Sequence, residues 1–326
     1  HTRYWRDWSS DVCSSDLIAA TNRTGSFFEA VTTGVGECQG FTAADYNNAL
    51  TLLSNKDDYD FNLLIVPGVT LGTGPLSSLS DDIVAVCEGR GDSMAIIDTT
   101  AYGVNVAGAV TAAATVGSNY GAAYYPWVQT YSNNLGKQVW CPPSVVMGGV
   151  YAFNDQVGAE WFAPAGLNRG GIGSVIRAER RLSQSDRDSL YDANINPLAS
   201  FPGEGVVAFG QKTLQKKSTS LDRVNVRRLL ITLKRFLGQV GRSLVFEQNT
   251  ATTRNKFLSV AEPYLESIVQ RQGLYAFKVV MDDSNNTPDS IDRNFLNGAI
   301  YLQPARAAEF IQIDFNILPT GAKFGG

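Results

Sequence analysis

The residues that could carry out covalent chemistry are few in this chain, and their spacing matches no known catalytic motif. Ser93 lies in the block Gly91-Asp92-Ser93, a spacing seen around nucleophilic serines, but a serine hydroxyl needs a nearby base to become reactive. His1 is the one histidine among the 326 residues. Ser-His-Asp and Cys-His triads and histidine-bound metal centres are therefore excluded.

Three further patterns suggest ligand binding but lack residues that binding requires. Gly72-Thr73-Gly74 is placed like a nucleotide loop, yet a third glycine is missing and Pro75 removes a backbone donor. The four cysteines lie far apart and form no C-x-x-C pair. The acidic clusters lack the spacing of a calcium loop; they are Asp57, Asp58, Asp60, Asp282 and Asp283. We therefore predict no cofactor and no metal site.

The segment 224–241 predicts an amphipathic helix with a cationic stripe. Its apolar residues recur every three or four positions: Val226, Leu229, Leu230, Leu233, Phe236, Leu237 and Val240. Its cations should lie on the side that does not face the core: Arg227, Arg228, Lys234, Arg235 and Arg242. This stripe is either a solvated face or a docking surface for an acidic partner. No aromatic platforms interleave with it, so we predict no nucleic-acid binding.

Charge is unevenly distributed along the chain. The total is 27 Lys and Arg against 31 Asp and Glu, which gives a net charge of −4. Residues 1–160 carry a net −10, residues 161–280 a net +9 and residues 281–326 a net −3. Such segregation favours copies that attract one another or an acidic partner.

Around these residues, apolar strands alternate with helices, which predicts an α/β fold with a mixed, layered sheet flanked by helices. Strands are expected at 61–66, 94–98, 120–130, 138–141, 174–180, 205–210, 274–281 and 298–302, and helices at 43–53, 81–88, 102–116, 252–270 and in a short segment capped by Ser185. We predict an α/β domain over residues 18–160 and an α+β C-terminal domain over residues 161–326. The longest uncharged apolar run is about 13 residues, too short to span a membrane.

The first seventeen residues have no helical or strand period and repeat Ser-Ser-Asp. They resemble translated sequencing-adapter read-through, so we expect residues 1–17 to be an artefactual or disordered leader that contributes nothing to the fold.

Many short blocks in the second half occur in one order. They are PPS at 142–144, GGV at 148–150, WFAPAG at 161–166, RG at 169–170, LY at 190–191, INP at 195–197, FPG at 201–203, GQKTL at 210–214, LDRVNVRRL at 221–229, FE at 246–247, Asn249, TR at 253–254, NNTP at 285–288 and PARAAE at 304–309. Over about 180 residues this chain resembles the contractile tail sheath proteins of bacteriophages.

The resemblance implies a non-enzymatic structural subunit of the virion tail. Such subunits assemble in the bacterial cytoplasm as hexameric rings, stacked helically around an inner tail tube between baseplate and tail terminator proteins. Contraction then drives the tube through the host envelope for genome delivery, without a cofactor or a membrane anchor. Two alternatives stay open: the sheath of a phage-derived injection particle such as an R-type tailocin, and an α/β enzyme that uses carboxylate or lysine chemistry.

The resemblance also implies that neighbouring subunits exchange terminal β-strands. Residues 309–317 alternate apolar and polar side chains with period two, the strongest strand pattern in the chain. We expect the exchanged C-terminal contribution here and in the tail beyond: Glu309, Phe310, Ile311, Ile313, Phe315, Ile317 and Phe324. The five cations of the stripe are expected to face the tube or a neighbouring subunit.

Overall fold

The computed structural model describes residues 37–38, 41–72 and 76–309. The proposed leader, residues 1–17, lies outside the described residues. None of the described helices combines the length and the apolar character needed to cross a bilayer.

The described strands and helices alternate through most of the chain. The strands are β1 (Glu37–Cys38), β2 (Phe41–Thr42), β3 (Leu63–Thr70), β4 (Met94–Asp98), β5 (Gly121–Tyr125), β6 (Val128–Ser132), β7 (Lys137–Cys141), β8 (Val175–Ala178), β9 (Ile195–Phe201), β10 (Gly205–Ala208), β11 (Leu274–Val280) and β12 (Ala299–Pro304). The helices are α1 (Ala43–Leu53), α2 (Ser77–Arg90), α3 (Val106–Ala113), α4 (Pro143–Val157), α5 (Gln184–Asp192), α6 (Val224–Arg242), α7 (Ala251–Gln270) and α8 (Pro288–Asp292).

A five-stranded sheet in the order β10-β9-β5-β4-β3 forms the centre of the first two hundred residues. Its four strands from β9 to β3 are parallel, and β10 adds an antiparallel edge. Strands β4 and β5 are buried along their whole length. Both read as continuous apolar runs because helices cover both faces of a parallel sheet. The predicted mixed sheet flanked by helices is thereby confirmed.

Alternate side chains of β4 divide the core into two layers. Ala95 and Ile97 pack with α1, α2 and the end of α3 on one face. Met94 and Ile96 pack with α4 and with the first half of α6 on the other. Helix α4 was not predicted; it begins with Pro143 in its first turn, where a missing N–H costs nothing.

The boundary predicted at residue 160 cuts through this sheet. Strands β9 and β10 follow that position, yet β9 pairs with β5 and completes the sheet begun by β3. Strand β9 itself was missed because its Pro and Gly neighbours indicate a loop. The predicted strand at 120–130 is two strands, β5 and β6, which turn apart at Pro126 and enter different sheets. The predicted cap Ser185 was wrong, because the N-cap of α5 is Ser183, which forms a capping box with Asp186.

The last hundred described residues form a helical pair on a β-hairpin. Leu229 and Leu233 of α6 pack with Leu265 and Ile268 of α7, so the two helices run antiparallel. Strands β11 and β12 form an antiparallel two-stranded sheet whose inward residues pack on the same helices.

A buried carboxylate joins three elements at the carboxyl end of β4. The Oδ1 atom of Asp98 accepts a hydrogen bond from Ser144 N at 2.8 Å, and its Oδ2 atom accepts from Ser144 Oγ at 2.8 Å and Gly68 N at 3.1 Å. The carboxylate thus caps α4 and holds the irregular end of β3. Burial raises the pKa of Asp98 to about 6, although these hydrogen bonds oppose the shift.

We expect this raised pKa to make stability depend on pH. A folded-state pKa of about 6, above the ordinary 3.8, means that the folded chain holds the proton more tightly than the unfolded one. The stability from protonated Asp98 is therefore present below pH 4 and lost as pH rises through 6. The free energy of unfolding of the wild type, measured with urea, should fall relative to that of Asp98→Asn from pH 4 to 6. The difference should be constant from pH 7 to 8, and a flat difference throughout contradicts the assignment.

Candidate assembly interface

Helix α6 carries all five cations of the predicted stripe, and the structure divides them into two groups. Arg227 and Arg228 are each only 3% exposed. The prediction that both lie on the solvent-facing side was wrong, because the first half of α6 is covered on nearly all sides by the sheet, α4 and α7. Lys234 and Arg242 are exposed, and Arg235 is half-buried.

The buried pair of arginines is held by polar and aromatic partners within the chain. Arg228 donates to both oxygens of Asp155 at 2.7 and 2.6 Å, a bidentate pair. The guanidinium of Arg227 lies 4.0 Å from the ring centroid of Tyr120 and donates to Asn119. Burial lowers the pKa of Arg227 from its ordinary value. Both arginines therefore fix α6 to the body of the chain and are not available to a partner.

The outer cations border an acidic turn. Arg235 donates to Asp60 at 2.5 Å, and Arg242 lies 3.5 Å from Asp57. Lys234 donates to the hydroxyl of Tyr120 at 3.3 Å. Because the Arg242 and Asp57 side chains are 70% and 81% exposed, water screens this pair and leaves it free to rearrange on binding.

Glu309, one of the residues predicted to take part in strand exchange, lies in a polar cluster. Its carboxylate accepts hydrogen bonds from Arg223 Nε at 2.7 Å, Gln211 Nε2 at 3.1 Å and the hydroxyl of Tyr191. Burial and this carboxylate together raise the pKa of Tyr191 well above its usual range, so the phenol stays a donor. The other predicted exchange residues, Phe310 to Phe324, lie outside the described residues.

The cluster lies at one end of a groove of about 1010 Å³ between the sheet and the helical pair. Aromatic side chains line much of it, among them Trp161, Phe162, Phe209 and Tyr275. The same groove contains Arg169, Arg187 and Asp188. The carboxylate of Glu309 is already bound by three donors of the chain.

The motifs that suggested chemistry are closed off where they are described. Ser93 is fully buried, and Arg90, which lies just before the block Gly91-Asp92-Ser93, is 4% exposed. The Arg90 guanidinium donates to the carbonyls of Leu53, Asn55 and Tyr59 and to Asp92. Residues 73–75 of the glycine loop lie outside the description. Within the described residues, no group of three or more His, Cys, Asp or Glu side chains is placed to hold a metal ion.

Sequence reasoning missed the partners in these clusters. Arg223 and Tyr191 lie in two of the blocks that carry the family resemblance, but the sequence assigned neither residue a role. Asp155 was not singled out at all. Only Asp98 had a local signal, because a charged residue that ends a fully apolar strand is expected to bind something.

Comparison with known proteins gives two family matches that cover most of the chain. The family model of the phage tail sheath protein central domain matches residues 39–214. That of the phage tail sheath C-terminal domain matches residues 216–317. The junction of the two models lies near residue 215, where the sheet ends and α6 is about to begin.

Individual relatives agree with these matches. The tail sheath protein of Enterobacteria phage T4 is 33% identical over 98% of this chain, and the tail sheath protein of Vibrio phage KVP40 is 38% identical over 60%. The chain spans 52% and 29% of the lengths of these two relatives. Among solved structures, the contracted PVC sheath complex of an extracellular contractile injection system is 26% identical, with a TM-score of 0.68 over 82% of this chain and 74% of that one.

The contrast between buried and exposed ion pairs on α6 can be measured directly. Asp155→Asn leaves Arg228, whose side chain is 4% exposed, without its counter-charge. We expect it to lower the free energy of unfolding by roughly 2–3 kcal/mol. The matched variant Asp57→Asn removes the exposed partner of Arg242 and should change stability by less than about 0.5 kcal/mol. Equal losses for the two variants, measured by urea unfolding, would contradict this division of the helix.

Proposed function

This chain belongs to the phage tail sheath family, and we propose that it is a non-enzymatic structural subunit of a contractile sheath. Copies polymerise as hexameric rings stacked helically around an inner tail tube, and the lattice shortens to drive the tube through the host cell envelope. The subunit acts as part of the virion tail and assembles in the bacterial cytoplasm, between a baseplate and a tail terminator. The mechanical work of contraction comes from a change in the packing between copies of the subunit.

One observation carries the proposal. The two sheath-family models match residues 39–214 and 216–317 in consecutive order, so the chain contains both kinds of domain. The similarity to a sheath complex solved in its contracted state supports the same function.

The exposed half of α6 is the surface that we propose for contact with the tube or a neighbouring subunit. Lys234, Arg235 and Arg242 lie on it, and the acidic partners of the two arginines, Asp60 and Asp57, are exposed and easily displaced. An acidic partner surface would complement their field and orient the approaching subunit. Arg227 and Arg228 support this surface from beneath.

The C-terminal strand is proposed to join a neighbouring subunit. In the described part of the chain, β11 and β12 form a sheet of two strands, which leaves an edge on each side for a further strand. Main-chain hydrogen bonds from an added strand would bind two copies while allowing large rigid-body movements. The alternating segment 309–317 has the pattern that such an added strand requires.

A phage-derived injection particle is the second candidate. The similarity to sheaths of the PVC injection system favours it, whereas the relatives with the higher identities are phage proteins. The two candidates share the same polymerising mechanism and differ in whether a capsid with DNA is attached. The neighbouring genes separate them.

Electron microscopy of the purified protein tests the proposed surface. The wild type should form striated tubes or rings, and the double variant Lys234→Glu, Arg242→Glu should remain a folded monomer because it reverses the field of the exposed stripe. The control Lys137→Glu, Arg293→Glu makes the same change of net charge at exposed positions outside α6 and should assemble normally. Tubes of normal length from the first variant would count against this surface.

Removal of residues 310–326 tests the exchanged strand. The shortened chain keeps every described helix and strand, so its thermal unfolding should stay within a few degrees of the wild type. Its assembly into tubes should be lost, since the strand that links copies is gone. Normal tubes from the shortened chain would show that the linkage lies elsewhere.

A further inference from the structure

After β12, the last described strand, the chain continues through a short exposed segment. The side chain of Glu309 then binds it to the rest of the fold. After β12 the backbone makes one more hydrogen bond, from Ala305 N to Gly273 O at 3.1 Å. Arg306, Ala307 and Ala308 are exposed and lie outside any helix or strand. Glu309 is part-buried again, and its side chain is only 18% exposed.

The three donors to Glu309 come from separate parts of the fold. Tyr191 belongs to α5, Gln211 follows β10, and Arg223 immediately precedes α6. Tyr191 and Gln211 fall within the match to the central domain, whereas Arg223 falls within the match to the C-terminal domain. A single carboxylate therefore contacts both halves of the chain.

Two of the three donors, Arg223 and Tyr191, are also held in place by contacts that do not involve Glu309. Arg223 donates from its NH2 group to the hydroxyl of Tyr191 at 2.8 Å and pairs with Asp222 at 3.1 Å. Lys212 Nζ lies 3.7 Å from the ring centroid of Tyr191 and donates to its carbonyl at 2.7 Å. These contacts form a preorganised socket for one carboxylate, in which little side-chain freedom remains to be lost on binding.

We propose that this socket, made by Tyr191, Gln211 and Arg223, anchors the root of the C-terminal segment at a fixed point between the central sheet and the helical pair. When subunits move, the exchanged strand transmits force to its own subunit at the anchored position. The anchor thereby prevents the residues before Glu309 from being pulled away from the fold. The anchoring itself stands on the contacts of Glu309. Its role in coupling copies rests on the proposed sheath function.

Limited trypsin digestion of the unassembled chain tests the anchor, because the bond after exposed Arg306 lies three residues before Glu309. Cleavage after Arg306 and after exposed Arg293 is followed by mass spectrometry in the same sample. Glu309→Gln keeps the size of the side chain but removes its charge, and should speed cleavage after Arg306 roughly tenfold while leaving Arg293 unchanged. Tyr191→Phe, which removes one donor, should give a smaller increase at the same bond.

Two results would overturn the anchor. Unchanged cleavage after Arg306 in Glu309→Gln overturns it, and so does an equal increase at Arg306 and Arg293, which reports general unfolding. The control Asp57→Asn breaks an exposed ion pair elsewhere and should leave the Arg306 rate unchanged. Assembly is then scored separately by electron microscopy. Fast cleavage of Glu309→Gln after Arg306 together with normal tubes keeps the anchor and removes its role in coupling copies. Fast cleavage of Glu309→Gln together with a wild type that forms no tubes keeps the anchor and counts against the sheath function alone.

Discussion

The burial of one helix on several sides is the constraint on which this structure depends. Helix α6 packs its first half against the central sheet through Val224 and Ile231, and against α7 through Leu229 and Leu233. A cation buried in such a helix is costly unless a counter-charge, a hydrogen bond or an aromatic ring compensates for its lost hydration. The bidentate pair of Arg228 with Asp155 and the stacking of Arg227 on Tyr120 are therefore conditions for the packing.

The same burial determines which surface a partner can meet. Only the second half of α6 projects beyond the core, so the solvated cations are confined to one end of the helix. That end lies beside the acidic turn at Asp57 and Asp60, where exposed ion pairs contribute little to stability. The cations of this surface form only weak ion pairs within the subunit. They can therefore form new ion pairs with a partner without destabilising the fold.

Two polar clusters join distant segments of the chain in the same way. Asp98 joins β3, β4 and α4, and Glu309 joins α5 and the start of α6 to the end of the hairpin. Each cluster uses one carboxylate to collect donors from distant segments. Directional hydrogen bonds of this kind resist shear better than apolar contacts, which are not directional. Each carboxylate thereby fixes the relative positions of segments that lie far apart in the sequence.

The sequence by itself determined many of the helices and strands and the family resemblance, because periodic burial is a local property and ordered blocks are read without coordinates. Helices α1, α6 and α7 and strands β4 and β7 lie within one residue of their predicted bounds. Only the tertiary structure decided which side chains meet. Arg228 lies 73 positions from Asp155, and Arg223 lies 86 positions from Glu309. The periodicity of α6 shows one apolar face, but the number of neighbours that cover a helix depends on segments far along the chain. The number of elements packed around α6 decides that Arg227 and Arg228 are buried, although the sequence pattern alone indicates a solvent-facing stripe.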